Sequence, residues 1–598
     1  MFKSLRKELS GIKYTVKNVL SGKERTMVYY IWLGTFFSNI AAVLYPLIDK
    51  YIVDGVVSIF EGPVRYSMLV IGITGLLLLS VYNYFYNRNF LTYSNFVSDT
   101  VGNRIHESIF SKFTRIKYKY YEKSDVFNQL SNVKNNVPRI IANNVIDGIV
   151  PELISAFIGM CYIFFTLSFI DFRIAILILL GNVFSVYFKY RQMKENYYMK
   201  YEQIPQKRWA STYWNILTSR GSLKEVRIYN LFDYLFSKWK SNTKKTKQQA
   251  FKLTLKYSAI LIITQAVSIT FKMLAFGIAV YAGFSGKITL GTIVLVYSSL
   301  GLLDNYFRRF TYSYIQICED VIYIDNYIDF MNFENENTGK EQISDKQDFR
   351  LEFSNVSFRY PETEKYVIKD ISLKIEPGEK IAIVGKNGSG KSTFVSLING
   401  FYDSYEGQIF VNGHELKNCI KDVRKNIRTV FQDFHTYAVS LKDNILFGDV
   451  ENEYDDRQIM DAAEKADAAE FINNYSNGIY THIGNLVDDA VNLSGGEKQK
   501  LVLARTFLNP DIKLIILDEP TASLDPRSES VIYKRFLEKI GTQTAIMISH
   551  RLGATRFADR ILVFDDGKIV EDGTHMELME RRQIYYELYT AQAGMYAG

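Results

Sequence analysis

Met27–Ile48 and Tyr66–Asn87 each run for 22 residues without a charged side chain. As a helix, such a run satisfies its own backbone hydrogen bonds and crosses roughly 30 Å of hydrocarbon. Four more apolar runs follow: Leu153–Ile170, Ile174–Phe188, Tyr257–Gly286 (interrupted only by Lys272) and Ile288–Leu303. The third and fourth are joined by the tight turn Asp171–Arg173, the fifth and sixth through Gly283–Lys287. Six membrane spans are therefore predicted.

The connections alternate. Those between spans 1 and 2, 3 and 4, and 5 and 6 are short, whereas the other two are long and basic. Arg88–Lys134 carries eight Lys/Arg against four Asp/Glu, and Lys189–Lys247 carries fourteen against four. Met1–Thr26 adds seven against two. All of this positive charge falls on one side, which places it in the cytoplasm. Few Gly or Pro interrupt the long connections, so they read as helices continuing past the bilayer and reversing near Tyr120–Gln129 and Leu223–Phe236. The first run is too long for a cleavable signal, and no small-residue cleavage site follows before Asp49. The net charge of +7 is then an orientation signal and gives no ground for a nucleic-acid partner. The three cysteines, Cys161, Cys318 and Cys419, are far apart, which argues against both a disulfide framework and a zinc site.

After the polar stretch Asn332–Asp348 no run approaches membrane length, and short β-branched segments alternate with helical ones, as in a soluble α/β domain. The expected organisation is a basic N-terminus (1–26), a membrane domain (27–331), a linker (332–348) and an α/β domain (349–598). The strand Ile381–Val384 runs into Gly385-Lys-Asn387-Gly388-Ser389-Gly390-Lys391-Ser392-Thr393, the pattern GxxxxGK[ST] between strand and helix. Its glycines let successive backbone N–H groups turn inward around phosphates at a helix N-terminus. Lys391 reaches the β/γ-phosphates, and the Ser392 hydroxyl suits Mg²⁺. Downstream, Leu514–Leu517 ends in Asp518 and Glu519, one carboxylate for the metal side and one as general base for the attacking water.

Between those motifs lies Leu493-Ser494-Gly495-Gly496-Glu497-Lys498-Gln499, which resembles the signature sequence of ATP-binding-cassette (ABC) proteins. Other elements resemble that family in the expected order. Tyr360 resembles the aromatic that stacks on adenine, and Gln432 the Q-loop glutamine that contacts Mg²⁺ and senses the membrane domain. Asp525 lies in a D-loop-like Ser-Leu-Asp, and His550 resembles the switch histidine at the γ-phosphate. The resemblance covers nearly the whole chain and implies an exporter half-transporter: six long transmembrane helices followed by a soluble α/β P-loop ATPase cassette. It implies ATP and Mg²⁺, with Ser392, Gln432 and Asp518 at the metal and Glu519, Gln432 and His550 as the catalytic set. It also implies a homodimer, or a heterodimer with a second half-transporter, in which Ser494, Gly495 and Gly496 of one subunit close over ATP on the other's phosphate loop. Two helices resemble the family's coupling helices, which dock on cassettes: Tyr121–Gln129 and Leu223–Phe232.

Two departures stand out. Glu497 replaces the usual Gln, a position where little loss is expected because Ser494 and the glycine amides make the phosphate contacts. Thr481–Asn492 lacks the glutamate-and-glycine pattern of many drug exporters. It resembles the longer version in exporters of ribosomally made peptides, including the nisin-type lantibiotic group. The expected substrate is accordingly a peptide, ahead of a lipid or amphipathic drug; an importer of the same architecture and a non-transporting sensor are the further alternatives. No peptidase domain is read ahead of the first span and no Cys precedes Cys161, so leader removal is expected to fall to another protein. The expected location is the bacterial cytoplasmic membrane, with membrane lipid around the spans and the cassette in the cytoplasm.

Lys272 and Asp304 sit about 20 and 24 Å from the outer ends of their spans, counted at about 1.5 Å per residue. Charges at that depth either line a substrate path or pair with each other. Glu152 in the third span is a similar candidate. The aromatics Tyr82, Tyr84, Phe85 and Tyr86 read either as an interfacial belt or as a wall for a flexible peptide.

Overall fold

The computed structural model describes residues 20–61, 66–123, 148–339, 341–343, 349–485, 487–519, 526–549, 552–553 and 555–596, with isolated positions between 126 and 140. It divides into two compact units, Met1–Thr114 with Ser124–Phe333, and Arg115–Lys123 with Glu334–Gly598.

In the first unit, six helices among the described residues are long and apolar enough to cross a membrane, the number expected. They are Gly22–Phe60, Tyr66–Tyr86, Ile149–Ile170, Phe172–Lys200, Phe232–Phe284 and Leu290–Met331. The second belongs to a helix that continues to Phe113, 48 residues in all, and the fifth extends over 53. At about 1.5 Å per residue these are roughly 72 and 80 Å long, far more than a bilayer needs. The turn between the third and fourth spans forms because Asp171 leaves the helical region and its carboxylate accepts the Arg173 N–H at 2.9 Å. The fourth span packs along the fifth, and the third along the sixth. Small residues set the spacing: Gly159 lies under the ring of Tyr306, where a Cβ would come within 2.8 Å. At the other end of the sixth span, Asp54 of the first accepts from Thr289 Oγ1 and the Gly291 N–H, both at 2.9 Å.

Of the two readings of the deep charges, the geometry carries the pair. Lys272 Nζ donates to Asp304 Oδ2, joining the fifth and sixth spans. Removing one partner leaves the other charge in a low-dielectric setting, a cost of about 3 kcal/mol or more. Lys272→Ala and Asp304→Ala are each expected to depress the yield of folded protein, and the double exchange Lys272→Asp with Asp304→Lys to restore it. If the exchanged protein folds as poorly as the single variants, the pairing is not what those charges are for. Nearby, Asn39 joins three spans: its Nδ2 donates to Ser155 Oγ at 2.9 Å, while its Oδ1 accepts from Arg309 at 2.6 Å and its backbone O from Tyr306 at 2.5 Å. Glu152 lies within electrostatic reach of that same Arg309. Among the clustered aromatics, Tyr86 packs on Gly34 and hydrogen-bonds Thr35, whereas Tyr84 and Phe85 point outward.

The second unit contains, among its described residues, β1 (Leu351–Phe358), β2 (Ile368–Ile375), β3 (Lys380–Gly385), β4 (Glu406–Val411), β5 (His414–Glu415), β6 (Ile427–Val430), β7 (Leu514–Asp518), β8 (Thr544–Ile548), β9 (Arg560–Asp565) and β10 (Lys568–Gly573). An antiparallel sheet has the order β2-β1-β4-β5, and a larger one the order β10-β9-β3-β8-β7-β6. β3 runs parallel to both β8 and β9, and β7 parallel to β6 and β8. These central strands are buried along their length, as their continuous apolar sequence requires. The carboxyl ends of β3 and β7 therefore open on the same edge of the sheet, where open parallel sheets bind their ligands.

Part of the stretch read as linker is fastened to this unit. Ile116 pairs in antiparallel fashion with Asn335, and Arg424 forms a two-pronged bond to Glu336 at 2.6 and 2.8 Å. The Ile343 N–H donates to Asp422 at 2.6 Å. Arg115–Lys123, which lies within the sequence range assigned to the membrane domain, thus belongs by its contacts to the α/β unit. The expected docking helix at Tyr121–Gln129 is described only at Tyr121–Lys123 and Val126; its other residues lie outside the described set.

Candidate nucleotide site

β3 ends at Gly385, and the chain wraps through Lys386–Gly390 into the helix Lys391–Ile398. Gly390 is the N-cap at φ +107°, and a Cβ there would stand 2.9 Å from the Val367 carbonyl. Only glycine holds this turn, which leaves the first N–H groups of the helix aimed into the loop. Lys391 is buried and folds over the loop, donating to the Gly385 and Lys386 carbonyls at 2.9 and 3.0 Å. Burial pushes its pKa down, against the pull of the Glu519 and Asp518 carboxylates. Desolvating an ammonium beside an anion-binding loop prepares it for a phosphate partner.

Asp518 closes β7 and reaches the same place. Its side chain bonds to Ser392, while its Oδ1 is buried without a hydrogen-bond partner. Burial first, then the neighbouring Glu519 charge, pushes Asp518 up to about 6. A buried carboxylate with one unpartnered oxygen next to a serine hydroxyl is the oxygen set that a small hard cation seeks. Among the described residues no cluster of three His, Cys, Asp or Glu forms a metal cage.

Glu519 follows with φ +48°, a left-handed conformation uncommon outside glycine, and its N–H is held by the Ile548 carbonyl of β8. This turn aims its carboxylate at Gln432, whose Nε2 donates to Glu519 Oε2 at 3.2 Å. Burial raises the Glu519 pKa and Lys391 opposes the rise. Gln432 itself lies just beyond β6, on the far side of β7 from the phosphate loop. On the opposite flank, the Tyr360 hydroxyl shares a hydrogen bond with Thr393 Oγ1 at 2.9 Å, tying the predicted adenine-facing aromatic to the loop's own helix.

Gly385 to Thr393, Gln432, Asp518, Glu519 and Tyr360 are thus brought together. The signature residues stand apart. Ser494 caps the helix Gly495–Phe507, and Ser494 and Gly495 are exposed. No hydrogen bond among the described residues joins them to the phosphate loop. The unusual Glu497 has a local explanation: its carboxylate accepts the Ser494 N–H at 2.7 Å while its own N–H donates to Ser494 Oγ at 3.3 Å, a capping box that Gln also makes. Asp525 and His550 lie outside the described residues. One group escaped the sequence reading, Tyr402, which packs against Tyr360; its only sequence signal is the aromatic pair Phe401-Tyr402 after the phosphate-loop helix.

Residues 368–522 match the family described as ABC transporter. The chain is 30% identical to the subtilin transport ATP-binding protein SpaT of Bacillus subtilis over 517 residues, 86% of this chain and 82% of that protein. It is 34% identical to the ATP-dependent lipid A-core flippase of Salmonella typhimurium over 375 residues, 62% of this chain and 63% of the flippase. A bacterial Atm1-family ABC exporter, solved with ATP bound, shares the fold with a TM-score of 0.80 over 96% of this chain and 99% of its own, at 20% identity. With six spans, a phosphate loop and a relative matched along most of its length, this chain belongs to the ABC transporter family, as an exporter half-transporter whose membrane domain precedes an ATP-hydrolysing cassette.

Proposed function

We propose that this chain exports a peptide of the lanthipeptide or bacteriocin type across the bacterial cytoplasmic membrane by alternating access. The observation that carries the substrate reading is its 30% identity, over most of both chains, to a protein named for subtilin transport, together with the peptide-exporter-like stretch Thr481–Asn492. The similarity to lipid A-core flippases favours a lipid as the second reading.

Half-transporters of this family work as dimers, and the partner here is a second copy or a sibling chain. The exposed Ser494 cap and its glycines then cover ATP seated on the other subunit's phosphate loop. Gly385–Gly390 amides and Lys391 hold the β- and γ-phosphates, and Tyr360 stacks on the base. Ser392, Gln432 and Asp518 would hold Mg²⁺, which when bound offsets charge on the phosphate oxygens. Glu519 takes the proton of the attacking water, Gln432 steadies that carboxylate, and His550 contacts the γ-phosphate. Asp525 contributes from the dimer seam.

The test is ATP-dependent accumulation in inside-out vesicles carrying the wild-type chain or Glu519→Gln. A fluorescent, leader-bearing cyclised peptide is expected to accumulate only with the wild type. Active ATPase that moves a labelled phospholipid, but never the peptide, would replace the peptide with the lipid reading.

A further inference from the structure

The aromatic that faces adenine does not stand alone. Tyr402 is buried, with 5% of its surface exposed, and its ring stands perpendicular to that of Tyr360, at 5.6 Å and 88°. Its hydroxyl donates a hydrogen bond to the Glu122 carboxylate. Burial and that carboxylate both raise the phenol's pKa, so it stays protonated and donates. Tyr118, four residues earlier than Glu122, stacks on Phe401 at 4.9 Å and meets Tyr402 edge-on at 5.9 Å. Lys117 fixes the same segment through Glu334 and Asp403, each at 3.0 Å. A second contact reaches the Tyr360 turn directly: Lys123 pairs with Glu362, and the Thr363 N–H donates to the Tyr360 carbonyl at 3.1 Å. Residues 115–123 therefore touch the Tyr360 loop twice, once through Tyr402 and once through Glu362, without including any of the groups assigned to ATP.

We propose that Tyr402 is a positioning residue of the ATP site: Glu122 orients Tyr402, Tyr402 orients Tyr360, and the site's grip on the nucleobase depends on the 115–123 segment being seated. The inference rests on the reading of Tyr360 as the adenine-stacking residue. Its chemical signature is selective. No phosphate-loop residue is changed and Tyr360 meets the loop's helix through Thr393 Oγ1, so ligands that carry a base feel the loss of the link more than ligands without one.

The full chain in lipid nanodiscs, with Glu519→Gln to stop hydrolysis, is titrated with ATP and with Mg-tripolyphosphate by displacement of a fluorescent nucleotide. Glu122→Ala and Tyr402→Phe are each expected to weaken ATP about three- to tenfold, the scale of one oriented aromatic contact. The double variant should be no weaker than either single one, because both cut the same link. Glu122→Gln, which keeps an acceptor for the phenol, should stay within about twofold of its parent. Tripolyphosphate affinity should fall less than ATP affinity in each of them. Equal losses for ATP and tripolyphosphate would mean general damage and overturn the proposal, as would losses that add. Tyr360→Ala separates the two levels. If it leaves ATP affinity unchanged, the assignment of Tyr360 to the base fails; if it weakens ATP while Glu122→Ala does not, only the link through Tyr402 fails.

Discussion

Glu519→Gln is expected to lose at least about 10²-fold in ATP turnover, the scale of a missing general base, while nucleotide affinity stays within about threefold of the wild type. The amide keeps the size of the side chain and an oxygen that can accept from Gln432, so the 3.2 Å contact survives. What disappears is a carboxylate able to take a proton, and its pKa, raised by burial, lies nearer neutrality than an exposed glutamate's. Turnover in lipid nanodiscs and displacement of a fluorescent nucleotide measure the two quantities side by side. A variant that keeps more than about a tenth of wild-type turnover would take the base assignment away from Glu519. Wild-type chain that is folded but inactive on its own would instead point to a sibling half-transporter as the missing partner.

Asp518→Asn should have opposite effects on stability and on catalysis. The folded protein holds Asp518 at about 6, above its ordinary value of 3.8. Between those values the folded state binds a proton that the unfolded chain has released, so stability falls as pH rises through this window. Above about 6 the ionised carboxylate remains a full cost at neutral pH. A shift of roughly two pK units corresponds to about 2 kcal/mol after allowance for relaxation. Removing the charge should therefore raise the nucleotide-free cassette's melting temperature by about 4–8 °C at pH 7 and by much less at pH 4. Hydrolysis supported by Mg²⁺ should fall by about 10²-fold or more, because the amide is a poor ligand for a hard cation. In the wild type, Mg-ATP affinity is expected to weaken about tenfold per pH unit below pH 6, since protons compete for the same oxygens. Thermal melts with and without nucleotide at both pH values check the prediction; an unchanged melting temperature at pH 7 would mean the carboxylate is not strained.

The six spans were legible in the sequence because about 20 uncharged residues in a row have few other solutions. The phosphate loop was legible because glycine spacing and a following Lys-Ser have a backbone reason. Pairwise choices were less legible. Lys272 and Asp304 are 32 positions apart, and only the packing of the fifth span on the sixth distinguishes a pair from two path-lining charges. The placement of Arg115–Lys123 rested on contacts with residues more than 200 positions away, such as Ile116 with Asn335, for which no periodicity exists to read. Glu497 shows the reverse case. It departs from the family pattern, and it makes the capping box with Ser494 that Gln also makes. Glu519's left-handed turn left no trace in the residue type, because a conformation imposed by β7 and β8 overrides local preference.

The stitching of 334–339, 341–343 and 115–123 into the cassette bears on how such a protein can be taken apart. A piece cut at residue 349 would take the Glu336 carboxylate from Arg424 and the Ile343 N–H from Asp422, and would remove the Tyr118 ring stacked on Phe401. The working module is discontinuous, one stretch borrowed from between two membrane helices and one from the chain's second half. Gene shuffling that trades cassettes between relatives would have to exchange two separate coding segments at once. Successful hybrids should therefore arise mainly where both segments already match.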